Sequence, residues 1–119
     1  MWHYPEDSDL QGTLEKVLGG LAPTGFDPFV GRKLFHFCYE AGLAELNVRV
    51  DPYHLYAGEI NGRDLDLWRL KLEIAKPRLL EILGSEAAAT EYIRRFLRFL
   101  QRPDTLTYSC MFTVTGTKP

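Results

Sequence analysis

Between Gly25 and Leu43 the chain carries a segment with both ends marked. Asp27 stands where a helix N-cap belongs, and Pro28 occupies the first helical position, where its missing N–H leaves nothing unsatisfied. Phe29, Val30, Leu34, Phe37, Cys38 and Ala41 fall on one face of that helix. Gly42 is placed to close it in a left-handed conformation. A strand follows at once: Leu46, Val48 and Val50 alternate with Asn47, Arg49 and Asp51, the pattern of a half-buried strand. Pro52 removes a ladder donor, which puts this strand at a sheet edge or bends it there.

The remaining elements follow from the same rules. Leu10, Leu14, Val17, Leu18 and Leu21 form one face of a helix that Asp7, Ser8 or Asp9 can cap. Ala22 to Gly25 is a loop. Tyr53 to Tyr56 extends the first strand before Gly58. Asn61 or Asp64 opens a helix through Leu65, Trp68, Leu72 and Ala75, and Pro77 is expected to stop or kink it. A further turn or two runs to Leu83 and ends at Gly84. Ser85 caps a last helix bearing Ala89, Tyr92, Ile93, Phe96, Leu97 and Leu100. Residues 105–115 alternate again and are rich in β-branched and aromatic side chains, a second strand. The expected fold is α+β: a two-stranded antiparallel pair, about 45–56 and 105–115, with four or five helices. Two strands alone seldom make a stable sheet, so helices cover both faces or a partner supplies more strands.

The 119 residues make one domain, divided into an N-terminal helix and loop (1–25), a helix and strand (26–57), a helical insertion (58–104) and a final strand (105–119). A net charge of −2 argues against a general nucleic-acid binder. No apolar run approaches the length of a membrane helix, and the first residues lack the basic start and apolar core of a signal peptide. Cys38 and Cys110 sit among apolar residues and read as buried, reduced thiols of a cytoplasmic protein.

From Phe26 onward the chain resembles the closing part of a class I S-adenosylmethionine-dependent methyltransferase. The residues that carry the likeness are Asp27-Pro28, Gly31-Arg32 and Leu34, then Ala41-Gly42, Leu46 to Val50, and the last strand ending Thr113-Val114-Thr115-Gly116-Thr117-Lys118. In that family a sixth strand follows such a helix, and a seventh enters antiparallel between the fifth and sixth. The resemblance implies that Leu46 to Val50 is the sixth strand and Leu106 to Thr115 the seventh. Tyr53 to Asp104 is then a helical insertion over the acceptor pocket, and Met1 to Pro5 lies just after strand five. It also implies methyl transfer to a small-molecule acceptor in the intact enzyme. The departure is large: there is no Gly-x-Gly-x-Gly after a first strand and no acidic residue after a second one to hold a ribose. The reading is therefore a C-terminal, acceptor-side portion that binds no cofactor and is inactive alone.

Tyr53, His54, Tyr56 and Trp68 are the candidate acceptor walls, since such a pocket joins aromatic walls to a few polar handles. The same four residues also suit packing of the insertion onto the sheet. His36 reads as half-buried beside the core stripe or as a base near neutral pH. His3, His36 and His54 lack metal-ligand spacing, and no nucleophile–His set or phosphate-cradling loop is present. Arg94, Arg98 and Arg102, with Arg95 adjacent, form a basic stripe that suits either solvent or an anionic surface. The rival reading is a non-enzymatic α+β module that self-associates through an exposed strand edge.

Overall fold

The computed structural model describes all of residues 1–119. Three strands form one antiparallel sheet: β1 (Trp2–Tyr4), β2 (Ala44–Ala57) and β3 (Leu106–Thr117), in the order β1-β3-β2. Four α-helices accompany it: α1 (Ser8–Leu21), α2 (Leu34–Glu40), α3 (Gly62–Leu83) and α4 (Glu86–Leu100). The α+β class and the antiparallel pairing of the two long strands are as expected. The two-stranded count is corrected to three. Strand β1 has only three residues, too few to show a period, and it forms because Trp2, His3 and Tyr4 pair with Tyr108, Thr107 and Leu106.

The capping residues act as read. The Asp7, Asn61 and Ser85 side chains accept from the N–H groups of Leu10, Asp64 and Ala88. Gly42 and Gly84 take left-handed conformations just past α2 and α3. Three expectations are corrected in whole or in part. Residues 27–33 are not α-helix: the Asp27 carboxylate accepts from the Phe29 N–H at 2.8 Å, and a 3-10 turn at Val30–Lys33 precedes α2. Such a two-residue side-chain turn competes with the helix ladder. Of the two outcomes expected at Pro77 the stop does not occur: α3 runs on to Leu83, and Leu65, Leu72 and Leu79 keep one buried face against the core. Cys110 is exposed and Cys38 half-buried, and both are free.

Directly paired residues of antiparallel strands share a face. One face of the sheet carries His3, Thr107, Ser109, His54 and Tyr56 and is covered at this end by α3 and α4, through Trp68, Phe96 and Phe99. The other face carries Trp2, Tyr4, Leu106, Tyr108, Leu55, Phe112 and Val50. There the 3-10 turn and α2 pack on β2 and β3. Gly31 permits this approach, since a Cβ there would stand 2.7 Å from the Phe112 ring. The core joins α1, α3 and α4 around Leu10, Val17, Leu72, Phe96, Phe99 and Leu100.

The molecule is elongated. Its radius of gyration is 17.0 Å and its extents are 53 × 32 × 25 Å, whereas a compact domain of this length has a radius of about 13.5 Å. Only 14 of 119 residues are buried. Large apolar side chains lie open on both long strands, on α2 and on the outer face of α3, where Ile74 is 72% exposed. No helix is long and apolar enough to cross a membrane.

Candidate functional site

Strands β1 and β2 both run antiparallel to β3, so they are parallel to each other. Their carboxyl ends, at Tyr4 and Ala57, meet beside the start of β3 at Leu106. The backbone is stitched across this end by the Gly58 N–H to the Thr105 carbonyl (2.7 Å) and the Ile60 N–H to the Leu100 carbonyl (2.9 Å).

Here the structure brings Tyr53, His54, Tyr56 and Trp68 around one cavity of about 310 Å³, with Asp64 and Lys71 also on its wall. A bulge in β2 between Pro52 and His54 re-aims this part of the strand. His54 sits with its ring centroid 4.3 Å from that of Tyr53 and 5.2 Å from that of Trp68. Its Nδ1 lies 2.7 Å from the Ser109 hydroxyl. The Trp68 indole N–H donates to the Tyr56 hydroxyl at 3.1 Å. The Trp68 ring also reaches the core at Phe96, 5.2 Å between centroids. Tyr56 and Trp68 therefore tie the insertion to the sheet as well as walling the cavity. Tyr53, 64% exposed, and half-buried His54 face it with fewer structural ties.

Burial lowers the His54 pKa, and the Lys71 ammonium and the N-terminus lower it further, while Asp64 opposes them. His54 is thereby held as a neutral ring near neutral pH, able to donate or accept. The Lys71 ammonium stands 4.6 Å from the centroid of the Trp68 ring. Lys71 and Ser109 escaped sequence reading, and Asp64 was read only as a possible helix start. The signal for Asp64 and Lys71 was helical spacing, since they stand four before and three after Trp68.

A second functional candidate went unseen. His3 packs edge-on against Phe96 and Phe99, and its Nδ1 lies 2.8 Å from the hydroxyl of buried Thr107. Its Nε2 is buried without a partner. Burial, reinforced by the N-terminal ammonium, pushes its pKa down to about 4. A more apolar cavity of about 400 Å³ opens between β1, α1 and the 26–29 segment, walled by Trp2, Leu14, Leu18, Phe26 and Phe29. His36 is exposed rather than half-buried beside the core stripe. Of the basic stripe, Arg94 pairs with Glu91, Arg95 with Asp7 and Asp9, and Arg102 with Asp104. Most of its charge is thus matched within the chain. No family model matches this chain, and no curated protein or solved structure matches it either.

Proposed function

We propose that the chain is the acceptor-side, closing portion of a class I S-adenosylmethionine-dependent methyltransferase and is inactive alone. One observation carries this reading: the last strand, β3, lies antiparallel between two strands that are parallel to each other. That is the arrangement of the fifth, seventh and sixth strands in the family, with β1 in the fifth place rather than the stretch after it. The helices α3 and α4 stand where an acceptor-covering insertion belongs, over the carboxyl ends of β1 and β2. The outer edge of β1 is free to receive the remaining strands.

The residues of this chain do not fit the cofactor. Gly19 and Gly20 lie in the last turn of α1 rather than after a strand, so they cannot bring a backbone turn against a nucleotide. The methyl donor belongs to the missing strands, and this chain contributes the walls at Tyr53, His54, Tyr56 and Trp68. A small-molecule acceptor would lie against Tyr53 and Trp68, with the neutral His54 ring and its Ser109 partner as polar handles.

The test is the reading frame together with an assay. The frame should encode a glycine-rich strand-turn-helix within roughly 150 residues before Met1. The whole product should transfer a labelled methyl group, and Tyr53→Ala should raise the acceptor KM without unfolding the protein. An in-frame stop codon directly before Met1 would refute the reading. So would a whole product that folds but does not bind S-adenosylmethionine.

A further inference from the structure

The outer edge of β2 is unpaired along its regular run, Asn47 to Pro52, where every residue keeps register with β3. Val48 and Val50 are 42% and 50% exposed on one face of the strand. On the other face Arg49 and Asp51 form an ion pair with each other at 2.7 Å and are open to solvent. No helix covers that face here: α3 and α4 sit at the opposite end of the strand, over His54 and Tyr56. Apart from Pro52, which has no N–H, this edge presents a bare row of N–H and C=O groups, a template for another strand.

We infer that this edge pairs antiparallel with the same edge of a second copy, about a twofold axis through Val50, giving a continuous six-stranded sheet. The charges select that register. Centred on Arg49, the edge would set two guanidinium groups against each other. Centred on Val48, it would set Arg49 across from Asn47. Centred on Val50, it sets Arg49 across from Asp51 of the second copy and Asp51 across from its Arg49, while Val50 meets Val50 and Val48 meets Pro52 on the other face. An isologous contact must be self-complementary in this way, and opposite charges directly across an antiparallel pair stabilise it. Helix α2, with Phe35 and Phe37 exposed, packs on β2 and β3. The inference uses the edge opposite to the one the methyltransferase reading leaves for further strands, so neither depends on the other.

Sedimentation of the full chain tests it. The wild type should be a dimer. Arg49→Asp should weaken the dimer by about tenfold or more, ~1.4 kcal/mol, because it sets like charges across the axis twice. Arg49→Asp with Asp51→Arg should restore the dimer, since the swapped pair is again self-complementary. Circular dichroism checks that each variant is folded, which the exposure of both residues favours. A monomeric wild type would overturn the inference, as would a dimer indifferent to Arg49→Asp or a double variant that stays monomeric.

Discussion

His3 makes the fold pH-sensitive below about pH 6.5, a range it shares with His54, whose pKa burial also lowers. Its ring is wedged between Phe96, Phe99 and Thr107, with one nitrogen buried and unpartnered. The folded pKa falls from 6.5 to about 4, so below the unfolded value the unfolded chain binds more protons than the native one. The stabilisation is then fully present above about pH 6.5 and is lost as pH falls toward about 4. The whole shift corresponds to ~3 kcal/mol. Partial exposure and solvent screening reduce this to ~1–2 kcal/mol. Urea unfolding at fixed protein concentration, between about pH 7 and pH 4, should show that loss. The paired variant His3→Phe, Thr107→Val removes the titrating ring and its hydroxyl partner together, leaving no buried donor stranded. Its stability should be flatter by the same ~1–2 kcal/mol over this window. The carboxylate of Asp7 does not confuse the result. The Leu10 N–H and Arg95 lower its pKa from 3.8, so its contribution is present above that value and lost only below the window. A His3 ring that titrates near its ordinary value by NMR would refute the reasoning, as would an unchanged pH slope in the paired variant.

Leu100 is 1% exposed at the meeting of α4 and the sheet, so Leu100→Ala should destabilise by ~2–5 kcal/mol, read from the urea midpoint at constant m. Ser85→Ala removes the hydroxyl that accepts from the Ala88 N–H at 3.1 Å, and should cost ~1 kcal/mol by the same measurement.

The starts of α1, α3 and α4, the glycine ends of α2 and α3, the two long strands and the inward face of α4 were readable because each is written locally, in a cap, a period or a terminal glycine. What was unreadable depended on distant partners. Three residues cannot announce a strand, and Trp2 to Tyr4 became one only by meeting Leu106 to Tyr108. Pro77 looked like a stop or a kink because the local rule weighs a lost ladder bond, about 3 kcal/mol. The flanking contacts of Leu72 and Leu79 with the core outweigh it. The 3-10 entry to α2 arose from the Asp27 side chain bonding two residues on instead of three. Aromatic clustering grouped Tyr53, His54, Tyr56 and Trp68, which line one cavity. It said nothing of Ser109, which reaches His54 only across the β2–β3 ladder.

The position of β3 has a consequence for how the chain acquires its shape. Both β1 and β2 bond only to it, and the β1 pairing joins residues more than a hundred positions apart. Within these residues the first strand therefore has no ladder partner until nearly all that follows it has been made. Helices α3 and α4, whose contacts are local, can associate earlier. Halted before Leu106, these residues would hold their helices but neither the β1–β3 nor the β2–β3 ladder.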